Sequence, residues 1–239
     1  MNSQQLQSRL RRAIDHYQMI RAGDHIAIGL SGGKDSLTLV KAMKDLSRYY
    51  PEPFTVSAIT VDLGFKDFDT GPVKDFCASL DIPWYHVKTA IGEIVFERRQ
   101  EKNPCSLCAK MRKGALVDEA VRIGCNKIAY GHHRDDFVET MLMSLIYQSR
   151  FYAFPPVTLF EDKGLQIIRP MMYLTESEVK GYAAKEGLPV TRNPCPADKN
   201  TRREYCKQLM KQIGRENRDA IDHMFSALES GNLPDWPKA

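Results

Sequence analysis

Long apolar runs are missing from this chain of 239 residues. No stretch approaches the ~20 consecutive apolar residues that a membrane span requires, so a membrane-spanning helix is excluded as a reading. Met1-Asn2-Ser3-Gln4-Gln5 leads into a charged, helix-like stretch rather than a secretory apolar segment, and the chain is therefore expected in the cytoplasm. Cysteine is scarce, at 6 residues, and in that compartment they do not form a disulfide framework. Charge of one sign is barely in excess: 34 Lys+Arg against 30 Asp+Glu permits nucleic-acid binding without demanding it. Neither an internal repeat nor a low-complexity tract appears, which removes solenoid and linker architectures.

Against this plain background one stretch stands out. Ser31-Gly32-Gly33-Lys34-Asp35-Ser36 follows the apolar run His25-Ile26-Ala27-Ile28-Gly29-Leu30 and precedes a helical pattern. At a strand-to-helix junction, two glycines let the backbone turn tightly and aim its N–H groups at an anion, and the helix N-terminus adds partial positive charge. Phosphate is the natural guest. Lys34 supplies a point charge, Asp35 can hold Mg²⁺ against phosphate oxygens, and the Ser31 and Ser36 hydroxyls add donors. The string differs from the common nucleotide loop, which has a Ser or Thr where Asp35 stands. It resembles the pyrophosphatase loop of the N-type ATP pyrophosphatases, a resemblance that implies cleavage of ATP between its α and β phosphates.

Strand-like segments at 54–61, 83–88, 127–130 and 166–169 alternate with helical patterns at 37–46, 70–80, 107–123 and 135–149. Together with the strand before Ser31, this predicts an α/β fold with a doubly wound, parallel, five-stranded sheet whose nucleotide sits at the C-terminal strand ends. An amphipathic helix over 3–19 precedes it. Residues 150–166, with Pro155-Pro156 and no periodicity, read as a long loop. Helices follow near 175–186, capped by Thr175 with Glu178, near 201–213 and near 216–230. The expected organisation is an N-terminal helix (1–22), an ATP-binding domain (23–170) and a C-terminal helical region (171–239).

Two further groups carry chemistry. Cys105-Ser106-Leu107-Cys108 stands at the mouth of a helix with Lys110, Arg112 and Lys113 behind it. Two thiols at this spacing can bite one metal, and the helix terminus with nearby cations favours their thiolates. A third ligand must come from elsewhere. Cys195, stiffly presented in Pro194-Cys195-Pro196, is the candidate, with Cys206 as the alternative; Cys77 and Cys125 read as small buried hydrophobes. A redox dithiol, structural zinc and a [4Fe-4S] cluster all fit the pair, the last gaining an open iron from a three-cysteine set. The other group, Gly131-His132-His133-Arg134-Asp135-Asp136 with Glu139-Thr140, follows a strand directly. There Asp135 and Asp136 can cap the next helix, and either can share Mg²⁺ with Asp35.

These motifs, with Arg112-Lys113-Gly114, Phe154-Pro155-Pro156 and Ile168-Arg169-Pro170, resemble the tRNA 2-thiocytidine synthetases over roughly residues 5–213. Lysidine synthetases share the loop but need neither Cys105 nor Cys108. The resemblance implies an adenine nucleotide alpha-hydrolase-like fold and an enzyme that adenylates a cytidine in the tRNA anticodon loop, then replaces its C2 oxygen with sulfur. It implies ATP, Mg²⁺ and a [4Fe-4S] cluster as cofactors, a sulfur donor such as a cysteine desulfurase, and a possible homodimer. On this chain it assigns phosphate binding to Ser31, Gly32, Gly33, Lys34, Asp35 and Ser36, and nucleotide contacts to Val61 and Gly131. Cluster ligation falls to Cys105, Cys108 and Cys195, and catalytic roles to Lys34, Asp35, Arg112, Asp135 and Asp136. At the third cysteine the family commonly shows a second Cys-x-x-Cys, where this chain has Cys195-Pro196-Ala197-Asp198. The same chemistry on another nucleoside or a small molecule is the runner-up expectation, ahead of a non-catalytic ATP- or cluster-binding module.

Overall fold

The computed structural model describes all residues except 67, 100–103, 192, 193, 196–201, 232, 234, 235 and 237–239. In chain order the elements are α1 (Ser3–His16), β1 (His25–Gly29), α2 (Lys34–Ser47), β2 (Thr55–Asp62), α3 (Gly71–Ser79) and β3 (Trp84–Lys88). A π-helical stretch (Glu93–Arg98) leads to α4 (Pro104–Arg122), β4 (Lys127–Ala129), α5 (Arg134–Gln148), β5 (Val157–Phe160), β6 (Leu165–Ile168), α6 (Glu176–Lys185), α7 (Arg202–Glu216) and α8 (Ala220–Ser230).

The strands form one sheet in the order β3-β2-β1-β4-β6-β5. β1 lies between β2 and β4, parallel to both, with Ile28 opposite Ala58 on one side and Ala129 on the other. From β1 the chain winds outward to β2 and β3, then returns to β4 on the opposite side. The crossovers therefore part above the C-terminal ends of β1 and β4, leaving a crevice at that switch point.

The sheet has six strands rather than five. The extra one, β5, lies within the segment expected to be loop and pairs antiparallel with β6, from Val157 opposite Ile168 to Phe160 opposite Leu165. It is a short edge strand, its hairpin closed by Gly164 at φ +60°. Pro155-Pro156 masks its start and only four residues carry it, too few for a period to show. Two helix limits also shift. α4 begins at Pro104, so the cysteine pair lies in its first turns, and residues 217–219 separate α7 from α8, with the Asn217 side chain accepting the Asp219 N–H. Thr201, the expected start of α7, lies outside the described residues.

Leu6, Leu10, Ala13 and Ile14 form the buried stripe of α1, and Asn2 with Gln5 closes its N-terminus as a capping box. That stripe joins Ile26, Ile28, Leu37, Val40, Phe137, Tyr182 and Phe225 in one core on one face of the sheet. Leu116, Val117 and Ala120 of α4 cover the other face over Ala27, Ile59, Ile128 and Ile167. At the N-terminal edge of the sheet Lys127 is buried, 2.8 Å from the buried Asp24 carboxylate, and donates to the Met19 carbonyl at 2.7 Å. Asn126 and the Arg21 N–H donate to the same carboxylate.

Candidate active site

At the end of β1 the chain turns through Ser31–Gly33 into α2. Gly32 has φ +79°, in the region where a side chain is strained, and a Cβ there would collide with the Thr191 hydroxyl. The serines brace the turn: the Ser36 hydroxyl donates to the Gly33 carbonyl at 3.0 Å and lies 3.2 Å from the Ser31 hydroxyl. Gly131, at the end of β4, has no room for a Cβ either, which would meet the Asp35 carbonyl at 2.9 Å. Backbone thus meets backbone across the seam between β1 and β4.

Around this seam lies a cavity of about 580 Å³, a volume ordinary for a small-molecule site. Ser31, Gly33, Asp35, Ser36, Val61, Arg112, Gly131 and Asp136 line it, so eight of the residues singled out in the sequence converge there. Lys34 stands beside it, 3.1 Å from the Asp35 carboxylate and 3.3 Å from Glu176. Asp135 goes elsewhere. Its carboxylate accepts the Glu176 N–H at 2.8 Å, capping α6, and it is not among the cavity-lining residues. Asp136 accepts the His133 N–H at 2.9 Å and receives Arg203 at 3.4 Å. Burial alone would raise its pKa, but His133, His132 and Arg203 outweigh burial and hold it below the ordinary carboxylate value.

The opposite wall is cationic. Arg169 is buried, its pKa pushed down by burial to about 10, so it remains charged at neutral pH. It donates to the Pro155 carbonyl and to the Thr158 hydroxyl and lies over the Phe154 ring. The other side of that ring story is His132, stacked on Phe154 at 4.4 Å and pushed down to about 3 by burial, hence neutral. Lys113, lowered by burial and by Arg169, sits 4.0 Å from the Phe160 ring centroid.

Cys105 is exposed and Cys108 half-buried on α4; Cys195 is half-buried on the segment after α6. The Cys108 thiol is pushed up by burial, eased by Arg112, and pushed up again by Cys195 and Cys105. Cys195 is thus within electrostatic reach of Cys108. Cys206 is buried against Glu139 and Arg203 instead, and Cys77 and Cys125 are buried, both thiols pushed up to about 12. Among the described residues no three His, Cys, Asp or Glu side chains already stand in a coordinating array. The cavity reaches the cysteines through their neighbours, Ala109 and Arg112 on α4 and Pro194 before Cys195.

The family model described as "PP-loop domain" matches residues 2–213. The tRNA-cytidine(32) 2-sulfurtransferase of Pelobacter propionicus is 36% identical over 222 residues, covering 92% of this chain and 82% of the relative. That of Azotobacter vinelandii is 33% identical, covering 96% and 86%. The chain belongs to the tRNA-cytidine(32) 2-sulfurtransferase family of PP-loop proteins. Among solved structures, the U34-tRNA thiolase NcsA from Methanococcus maripaludis with its [4Fe-4S] cluster superposes with a TM-score of 0.74 at 21% identity, covering 93% of this chain and 76% of that one, and so shares the fold.

For a PP-loop sulfurtransferase the donor groups suit their guests. Asp35 Oδ1 is buried and, although within ion-pair range of Lys34 and His133, has no hydrogen bond directed at it. A hard divalent cation takes such an oxygen, with Asp136 opposite on the same cavity. On the cysteine side, Cys108 feels Arg112, Cys195 and Cys105, and thiols with a nearby cation are the donor chemistry of a soft metal centre.

Several residues of this PP-loop site escaped the motif reading. Glu176 bridges Lys34 and Lys207, and Arg203 clamps Asp136, Glu139 and Thr140. Thr191 donates its N–H to the Gly32 carbonyl at 3.0 Å while its hydroxyl lies buried without a partner. For the two basic residues the signal was present in the sequence, as part of the Arg202/Arg203/Lys207/Lys211 cluster. For Thr191 there was none.

Proposed function

We propose that the protein uses ATP to adenylate O2 of a cytidine in a tRNA anticodon loop and then replaces that oxygen with sulfur, giving 2-thiocytidine. One observation carries this reading: a single cavity has the phosphate loop on one wall and, on the other, a basic wall flanked by three cysteines. Backbone N–H groups of the loop and Lys34 bind the β and γ phosphates, and Asp35 and Asp136 hold Mg²⁺. Val61 and Gly131 face the nucleoside.

The base oxygen attacks the α phosphorus, and the α–β bridging oxygen leaves with pyrophosphate. The C2 oxygen, poor as a leaving group, becomes a good one once it carries AMP. Sulfide-level sulfur, released from the donor's persulfide by a two-electron thiol reductant, then adds at C2, and AMP departs with the oxygen. Arg112 neutralises the charge that grows on the departing phosphate. Cys105, Cys108 and Cys195 would hold a [4Fe-4S] cluster, which would supply soft Lewis-acid chemistry for the sulfur step. Asp135 acts on this site through α6, holding Glu176 and hence Lys34 in place. The sulfur comes from a donor such as a cysteine desulfurase, in the cytoplasm, and the working form is a homodimer.

Mass spectrometry of tRNA nucleosides from cells lacking the protein tests the substrate. Loss of 2-thiocytidine, restored by the wild type and not by Lys34→Ala, is expected; an unchanged profile would remove the tRNA reading. In vitro, Lys34→Ala should lower pyrophosphate release by roughly 10²–10³-fold, as for removal of one preorganised charge-stabilising donor.

A further inference from the structure

Large apolar side chains are rarely left in the open together. Of the nine exposed ones among the described residues, four, Leu145, Ile146, Tyr147 and Phe151, crowd the end of α5 and the turn after it, and a fifth, Tyr205, stands on α7, which packs against α5. Ser149, at φ +51°, ends α5 in the left-handed region, and Arg150 and Phe151 beyond it are exposed. Two arginines stand among these rings. Arg150 lies 4.3 Å from the Tyr152 ring centroid and Arg202 4.8 Å from that of Tyr147, and neither has a carboxylate partner among the described residues.

Two threads tie this patch to the cavity. Tyr152 is within electrostatic reach of Arg169, which lines the cavity wall. Arg203, next to Arg202 on α7, holds the cavity residue Asp136. The patch therefore stands on elements whose own neighbours reach the cavity, the segment before β5 and α7.

Exposed aromatic rings interleaved with arginines suit single-stranded RNA: rings stack on bases of any sequence, and guanidinium groups answer phosphates. We propose that Tyr147, Phe151 and Tyr205, with Arg150 and Arg202, form the platform that receives the unpaired nucleotides flanking the reacting base. The inference rests on the tRNA reading above. A base that enters the cavity abandons its neighbours in the stack, and those neighbours need new partners at the rim. An apolar surface meant for another protein copy has no need of guanidinium groups set among its rings.

The test is fluorescence anisotropy of a labelled anticodon stem–loop RNA titrated with the full-length protein. Tyr147→Ala with Phe151→Ala should weaken binding roughly tenfold or more, as loss of base stacking does, with ATP affinity unchanged. Arg150→Gln with Arg202→Gln should flatten the dependence of log affinity on log salt by about 0.7 per charge removed. If the double alanine variant lowers the urea midpoint, Tyr205→Ala on the surface of α7 supplies the same reading. Unchanged affinity in folded variants, while the wild type binds, would overturn the platform and leave the tRNA reading standing. So would a wild-type dimer, seen by sedimentation, that Tyr147→Ala/Phe151→Ala splits into monomers of undiminished RNA affinity. A wild type that does not bind the RNA would overturn both.

Discussion

The two ends of the same sheet treat buried charge in opposite ways. At the N-terminal edge, Asp24 receives Lys127, Asn126 and the Arg21 N–H, and Lys127 also reaches the Met19 carbonyl, so every charge there is answered from within the fold. At the C-terminal edge, Asp35, His132, His133, Arg169 and Thr191 supply five of the eight buried side-chain atoms without a hydrogen-bond partner among the described residues. Unsatisfied buried polar atoms cost stability unless something outside the chain completes them. The difference teaches where the molecule expects a guest: one edge is finished by folding, the other by ligands.

Mutations at the two ends should separate accordingly. The largest contrast is expected at the cysteines. Cys195→Ala should abolish the iron–sulfur absorbance of protein purified without oxygen, while Cys206→Ala, next to Glu139 and Arg203, should keep it. A colourless wild type containing one zinc would overturn the cluster assignment.

At the finished edge, Asp24→Asn should cost about 3–5 kcal/mol in urea unfolding, because it leaves Lys127 buried without its counter-charge, and should spare the activity per folded molecule. This edge also carries a pH signature. Burial would raise the pKa of Asp24, but Lys127, the Arg21 N–H and Asn126 outweigh it and hold it below the ordinary carboxylate value. A carboxylate depressed in the folded state contributes stability above its unfolded pKa of about 3.9 and loses it as pH falls through the folded value. The wild type should therefore lose its advantage over Asp24→Asn below about pH 4. A gap between the two that stays constant across that range would break the comparison.

The smallest effect separates two adjacent acids. Asp135→Ala removes the side chain that caps α6 and should cost about 1 kcal/mol of stability, with pyrophosphate release reduced only modestly. Asp136→Asn should show the reverse balance, a deep loss of activity, measured by the same two assays. Equal loss from both would assign Asp135 to the cavity as well.

Much of this was legible in the sequence, for physical reasons that differ by region. The phosphate loop could be read because its function is written in backbone freedom: Gly32 must take a positive φ, and Lys34 and Asp35 follow at a fixed offset. The cysteine pair could be read because thiols three positions apart on one helix share a face. Fold class followed from alternating strand and helix patterns, but β5 was lost behind Pro155-Pro156 and its own brevity. Asp135 and Asp136 were indistinguishable, since which carboxylate turns inward depends on where α6 arrives. Thr191 and Glu176 were out of reach for a similar cause, and the basic run around Arg203 was visible without its target: all belong to elements that meet the loop only through tertiary packing.

Thr191 gives the phosphate loop a property that no residue of the motif supplies. Its N–H takes the Gly32 carbonyl at 3.0 Å, and that carbonyl belongs to the same peptide unit as the Gly33 N–H. A peptide whose oxygen is engaged becomes a more polarised donor at its nitrogen, by about 10–30% in condensed-phase estimates. One amide of the phosphate cradle is thus tuned by a residue outside its own motif, four positions before Cys195.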